Sequence, residues 1–490
     1  MKVAAILCVL LVQNVPAMAQ GRGDFQIEEA TISGIHQAMS TGQLTCRLLV
    51  QHYLDRIQKY DKQGPAINAI VVVSPDAMTK AAELDAQFAK GGLTGPLHCV
   101  PAIVKDNFET IGLPTTAGSL SMKGWVSAQD AFQVRKIREA GAIVIAKSNM
   151  AEFAFSPVET VSSILPGYTK NPYALDRVTA GSSGGTAASV SSNFGAVGLG
   201  TDTGDSIRGP AAHQSLVGIR STMGLTSRAG VVPLSLAADI AGPLTRTVED
   251  AAVVFQVIAG YDPADPVTAA SRDKAPVLYA DSLKKDGLKG TRLGVLHQAY
   301  DTPTTDKEIV SIFQRAIEDL KKQGAEVIDA AAIPEFDHLR RSQTGNCNQF
   351  KFDLNTYLAH LDPTPPLKDL EEIIKSRSFH PSIEKRLETA QAVELSPDQN
   401  PGCKSRDDFR EKLRQAVLKL MDELKFDALI YPTWSNPPRL IGDLNTPAGD
   451  NNQLFSPSTG FPAITVPMGF GRNNTLPSGL QFFGRPWSDH

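Results

Sequence analysis

Apolar positions recur every three or four residues through 25–60, as in Leu48-Leu-Val-Gln-His-Tyr-Leu-Asp-Arg-Ile57, which predicts helix. Asn68-Ala-Ile-Val-Val-Val73 is a short β-branched run and predicts a strand. Residues 76–90 return to a helical, Ala-rich pattern. Val100–Val104 predicts a second strand, which delivers Lys105, Asp106 and Asn107 at its C-terminal end. Functional side chains often sit at such strand ends in α/β proteins. Helical spacing over 129–140 then gives way to a buried strand, Ala142-Ile-Val-Ile-Ala146. Strands alternating with helices predict an α/β sandwich rather than an all-β or all-α fold.

Residues 180–245 break the pattern. Gly, Ser, Thr and Ala dominate and charges are few, yet apolar groups persist, as in Val197-Gly-Leu-Gly-Thr201. Small residues inside an apolar protein predict close backbone packing around a backbone-lined site rather than a flexible linker. The Pro-, Asp- and Lys-rich stretch 262–288 reads as a surface connection. Lys307–Gln323 is an amphipathic helix leading into a strand at Ala325–Ile328. Residues 335–425 are more charged and mostly helical, a peripheral layer able to cover a site. Phe426–Tyr431 and Ala463–Val466 complete the predicted core strands. No tandem repeat appears.

The 490 residues are 42% hydrophobic and 20% charged, an ordinary globular composition. A formal net charge of -4 predicts neither a nucleic-acid nor a membrane partner. The first 19 residues stand apart: Lys2, an apolar run from Val3 to Val12, then Ala17-Met-Ala19. This is a secretory signal pattern with cleavage before Gln20, and it places the mature chain, 20–490, in a secreted or periplasmic setting. Cys8 lies too early for a lipoprotein cleavage site. No other stretch approaches the ~18 apolar residues of a membrane span. Cys46, Cys99, Cys347 and Cys403 remain after cleavage. Export permits disulfides, and Cys347 with Cys403 is the pair to test first; four unpaired thiols are the alternative.

The chain has no G-x-x-x-x-G-K-[ST] loop, no G-x-G-x-x-G after a strand and no H-E-x-x-H, and its nine histidines are scattered. These patterns argue against a nucleotide or metal enzyme, and no cofactor is expected. Gly181-Ser-Ser-Gly-Gly185 fits G-x-S-x-G with Ser183 at its centre, the nucleophile elbow of α/β-hydrolases. That elbow needs a strand directly before it, and Arg177-Val-Thr-Ala180 is weakly strand-like. A distributed pattern competes with it: Lys105 after its strand, the paired Ser182 and Ser183, and Gly200-Thr-Asp-Thr-Gly-Asp-Ser-Ile-Arg-Gly-Pro210.

These segments, with Val100-Pro-Ala-Ile-Val-Lys-Asp-Asn107, Ala146-Lys-Ser-Asn-Met-Ala-Glu-Phe153, Asp427-Ala-Leu-Ile-Tyr-Pro-Thr433, Gly460-Phe-Pro-Ala-Ile-Thr-Val-Pro467 and Pro477-Ser-Gly-Leu-Gln-Phe482, closely resemble the amidase signature family. The resemblance runs from about residue 25 to the C-terminus and implies an α/β fold, a single large α/β/α sandwich with a mixed, twisted central sheet. It implies a hydrolase of carbon–nitrogen (amide) bonds other than peptide bonds, acting on small molecules as a monomer or homodimer. It also implies Ser206 as nucleophile, Ser182 as bridging serine after a cis peptide bond, and Lys105 as base. The backbone N–H groups of Thr203, Gly204, Asp205 and Ser206 would form the oxyanion hole.

The residue types suit that chemistry. A serine hydroxyl is a weak nucleophile until a base takes its proton. Free lysine, with a pKa of about 10.4, is charged at neutral pH, and burial brings it toward the working range. Asp106 would oppose this if its carboxylate pointed inward. Asp202 and Arg208 read as a structural pair holding the loop. Two departures from the family stand out. Asp205 occupies a position that is usually glycine, where it disfavours positive φ and either slows anionic substrates or turns its carboxylate away. Related chains usually run on into a terminal helix, whereas this one stops at His490. Other readings stay open: an esterase or carbamate hydrolase on the same site or on Ser183 with a histidine, part of a transamidase that charges tRNA, and an inactive binding protein. Residues 150–170, 335–425 and 434–456 are expected to build the pocket. Trp434 and Phe455 are either its apolar walls or core.

Overall fold

The computed structural model describes residues 25–490 apart from 157, 275–277 and 452. The expected leader at 1–19 and Cys8 lie outside the described residues. Eleven strands form the centre: β1 (Ile70–Val73), β2 (Pro101–Lys105), β3 (Ile143–Ser148), β4 (Val197–Asp202), β5 (Val217–Arg220), β6 (Ile240–Thr245), β7 (Arg292–Leu296), β8 (Glu326–Ala331), β9 (Ala428–Pro432), β10 (Ala463–Gly471) and β11 (Leu476–Phe483). They make one sheet in the order β1-β3-β2-β4-β6-β5-β10-β11-β9-β7-β8. The sheet is mixed. β2 runs parallel to both β3 and β4, whereas β4, β6, β5, β10, β11 and β9 pair antiparallel in that order. The expected α/β sandwich with a mixed central sheet is what is seen.

Every strand the pattern predicted is present, within a few residues of its expected bounds. The pattern missed β4, β5, β6, β7 and β11. β4 and β6 are buried along their whole length and carry Gly198, Gly200, Gly242 and Pro243. Strands covered on both faces show no alternation, and glycine lowers their strand signal further.

Helices form where caps and apolar spacing agree. Lys307–Lys322 is one case. Asp306 accepts hydrogen bonds from the N–H groups of Glu308 and Ile309, Lys321 and Lys322 sit in the last turn, and Ile309, Ile312, Phe313, Ala316, Ile317 and Leu320 form the buried face. The cap satisfies free backbone donors and the end charges complement the helix dipole. Shortening a core aromatic such as Phe313 to alanine costs about 3–5 kcal/mol in comparable sites.

Two large apolar clusters fill the interior. One surrounds β1 to β4 and the helices Ile32–Ser40 and Cys46–Arg56; the other surrounds β7 to β11 and the helices Lys307–Lys322 and Pro401–Glu423. A smaller cluster seats Phe350, Leu354, Leu370 and Leu387 against Phe153 and Phe155. It docks the helices Phe350–Ala359, Leu370–Ser376 and Glu384–Gln391 beside the Gly/Ser-rich segment. Both Cys46–Cys99 and Cys347–Cys403 are disulfide-bonded. No helix among the described residues is long and apolar enough to cross a membrane.

Candidate active site

The parallel pairing of β2 with β4 sets the site. Val104 lies opposite Leu199, so Lys105 and Thr201 emerge together at one end of the sheet. Lys105 is fully buried, and its Nζ donates to Ser182 Oγ at 2.7 Å, to Thr201 Oγ1 at 2.7 Å and to the Thr201 carbonyl at 3.5 Å. Asn107 Nδ2 donates to the same Thr201 hydroxyl at 3.1 Å. Burial lowers the Lys105 amine to about 7, against the upward pull of Asp202, Asp239 and Asp205.

Asp106 does not oppose this. Side chains alternate across a sheet, so the neighbour of Lys105 turns away. Its carboxylate lies 3.6 Å from Lys147 Nζ and accepts from the Thr116 hydroxyl. Burial pushes the Asp106 carboxyl up, and Lys147 pulls it back in part. Lys147 also donates to the Phe108 carbonyl at 2.6 Å and to Thr115 Oγ1 at 3.0 Å. The second buried lysine is thus committed to structure.

The Gly/Ser segment packs its backbone closely, as its composition predicts. A methyl group on Gly185 would lie 2.2 Å from the Asn149 carbonyl oxygen, and one on Gly181 would lie 2.5 Å from that of Ser156. The Gly181–Ser182 peptide bond is cis. Ser183 precedes the helix Gly184–Ser191, but no strand leads into it. Its hydroxyl donates to the Thr201 carbonyl at 3.1 Å. None of the nine histidines bonds to Ser182, Ser183 or Ser206, so the elbow geometry is missing. The Ser183 N–H donates to the Ser206 carbonyl at 3.2 Å, which lays the Ser182–Ser183 pair against the loop 203–206.

That loop is held from behind. Asp202 Oδ2 accepts from Arg208 Nε and from the Ile207 N–H, both at 3.1 Å. Arg208 Nη2 reaches the Gly204 carbonyl at 2.6 Å. The expected Asp202–Arg208 pair is therefore present, with a further partner that the sequence did not reveal. Arg220 on β5 donates to Asp202 Oδ1 at 2.9 Å and to the Ala238 carbonyl at 2.8 Å. Burial pushes the Asp202 carboxyl up, but the two guanidinium groups win and hold it at about 2. No described residue accepts a hydrogen bond from the backbone N–H of Thr203, Gly204, Asp205 or Ser206. Four free donors in one short loop suit a developing oxyanion.

Asp205 lies outside the positive-φ region, so its departure from glycine costs no backbone strain. Its side chain turns inward: Oδ2 is buried without a hydrogen-bond partner and sits beside Gly209, as does Trp434 Nε1. Burial, then the nearby Asp450 and Asp202 charges, push its carboxyl well above the ordinary range.

The loop opens into a cleft of about 380 Å³, lined by Ser206, Phe155, Leu234, Gln453, Arg386 and Arg406 among others. All three stretches expected to build the pocket contribute to it, and residues 234–238 do so as well. Trp434 and Phe455 belong to the core: Trp434 meets His213 edge-on at 4.6 Å, and Phe455 stacks on Phe336 at 5.0 Å. Sequence reasoning missed Thr201, Arg220 and the cleft arginines. Only Thr201 had a signal, its place beside Asp202 at the end of an apolar run. No group of three or more His, Cys, Asp or Glu side chains among the described residues could hold a metal ion.

An amidase family model matches residues 48–490. The chain belongs to the amidase signature family. It is 34% identical to a probable amidase of Arabidopsis thaliana, over 99% of this chain and 92% of that protein. It is 31% identical to a glutamyl-tRNA(Gln) amidotransferase subunit of Acinetobacter baumannii, over 94% of each. Among solved structures, the peptide amidase of Stenotrophomonas maltophilia superposes with a TM-score of 0.85 at 33% identity, covering 95% of each chain. This amidase is accordingly an amide hydrolase, with the cleft above Ser206 as its candidate substrate site.

Proposed function

We propose that this amidase cleaves small-molecule amides through an acyl-enzyme on Ser206, with Ser182 and Lys105 relaying the proton. The observation that carries the reading is the Lys105–Ser182 contact: a fully buried amine, lowered to about 7, at 2.7 Å from a serine hydroxyl. As a free amine, Lys105 accepts the Ser182 proton while Ser182 accepts that of Ser206. The Ser206 oxygen then bonds to the carbonyl carbon. The oxyanion forms against the N–H groups of residues 203–206, where pre-aimed donors are worth about 3–4 kcal/mol each in comparable sites. Collapse breaks the C–N bond, and the relayed proton leaves on the amine. Water attacks the ester by the same relay, frees the acid and restores Ser206.

Ser206→Ala, Ser182→Ala and Lys105→Ala, assayed on aryl amides, test this. Each is expected to lose at least 100-fold in kcat, as general-base contributions imply. Full activity in Ser206→Ala would overturn it.

We further propose that the protein is exported, with residues 1–19 as a cleaved leader. The two disulfides support an oxidising compartment. N-terminal sequencing of the protein from its native compartment should begin at Gln20. A chain found only in the cytosol and starting at Met1 would contradict this.

A further inference from the structure

One wall of the cleft is basic. Arg386 comes from the helix Glu384–Gln391, and Arg406 and Arg410 sit one turn apart on the helix Pro401–Glu423. Each is anchored through only part of its guanidinium. Arg386 Nη1 donates to the Phe155 carbonyl. Arg406 uses Nε on Asp407 at 2.9 Å and Nη1 on Gln349 at 2.7 Å. Arg410 Nη1 donates to the Ala237 carbonyl at 3.1 Å and lies 4.0 Å from Asp407. Among the described residues, Nη2 of each is left without a partner. A guanidinium is a planar fork of donors shaped for a carboxylate.

The acidic groups near the cleft include Asp407, Asp205 and Asp450, the last acting on Asp205 and accepting from Gln453 Nε2. Asp407 compensates the arginines in part, but its side chain is 60% exposed. Asp205 also lines the cleft, yet its carboxyl is buried and turned toward Gly209. Burial and then the neighbouring Arg406 lower Arg410 to about 10. Like charges gathered in a half-buried wall repel, and a bound anion relieves that repulsion.

We propose that this amidase selects amides that carry a carboxylate, bound by the Arg386–Arg406–Arg410 wall while the amide carbonyl faces Ser206. This rests on the hydrolase reading above and narrows its substrate class.

The experiment compares matched pairs on the purified enzyme. One pair places the carboxylate on the acyl side: the mono-p-nitroanilide of glutaric acid against the p-nitroanilide of valeric acid. The other places it on the amine side: N-butyryl-4-aminobenzoate against N-butyrylaniline. In at least one pair the anionic member is expected to have a kcat/KM at least tenfold higher, through a lower KM. The advantage should shrink as NaCl rises. Arg386→Gln and Arg406→Gln should raise KM for the anionic member about tenfold more than for its neutral partner, and Arg406→Lys should recover part of that loss. Comparing two substrates on one variant separates a binding effect from poor folding. Hydrolysis without preference for the anion in either pair would overturn the proposal and leave the hydrolase reading standing. Inertness toward all four would overturn both.

Discussion

In the proposed relay Lys105 must be uncharged to take a proton, so that proposal makes its titration govern the rate. Burial lowers the amine from its ordinary 10.5 to about 7, although Asp202, Asp239 and Asp205 pull it upward. A shift of that size is worth about 5 kcal/mol in favour of the free amine. An ordinary lysine is neutral in about one molecule in 3,000 at pH 7, whereas at this site about half are ready. Stopped assays of kcat/KM on an uncharged aryl amide from pH 5 to 9 read this directly. Activity is expected to fall tenfold per pH unit below about 7 and to level off above it. Lys105→Arg should be inactive at every pH, because a guanidinium does not deprotonate in this range.

Stability has the matching sign. The unfolded lysine holds its proton up to its ordinary pKa, while the folded one releases it near 7. Between these limits the unfolded chain binds more protons, so stability falls as pH drops through the window. Lys105→Met removes that cost. Its urea stability relative to wild type should therefore rise by a few kcal/mol as pH falls from 10 to 7. A pH–rate limb centred near 10, or a flat profile down to pH 5, would refute the reasoning.

Three further outcomes are expected. Asp202→Asn strips the carboxylate from two buried guanidinium groups, and loss of one partner from such a group costs about 3–5 kcal/mol; urea denaturation should show this, together with a lower kcat from the loosened 203–206 loop. Asp205 has a folded pKa above its unfolded one, so its contribution is present at low pH and lost as pH rises between them; Asp205→Asn should gain stability relative to wild type as pH rises through that window. The Cys347–Cys403 bridge closes 56 residues and borders the cleft, so Cys403→Ser should cost about 4 kcal/mol by loop entropy and raise KM.

The readable parts of this sequence are those where local chemistry and position coincide. Lys105 ends an apolar strand, and Asp202 and Arg208 flank one short loop, so local sequence places them, while the roles of Ser182 and Ser206 rested on the family resemblance. Arg220 could not be paired with Asp202 by spacing, because β6 lies between β4 and β5 in the sheet. The cleft arginines were hidden for another reason. On a charged amphipathic helix they look like any solvent-facing residue; only the tertiary docking of Leu387 in the cluster around Phe153 and Phe155, and of Phe409 and Leu413 in the cluster around β7 to β11, sets their helices beside the cleft. Asp205 was visible as a departure, but its inward turn depends on the space beside Gly209 and Trp434. The missed strands share one cause. Buried almost end to end and each containing a glycine, they lack the alternation by which strands are recognised.

Covalent trapping tests the central claim most directly. A fluorophosphonate added to the purified enzyme, followed by peptide mass mapping, reports which oxygen is the nucleophile. The adduct should sit on Ser206, and labelling should rise with pH through about 7 as Lys105 loses its proton. An adduct on Ser183, or equal labelling of Ser206 in Lys105→Met, would contradict the Ser206–Ser182–Lys105 relay.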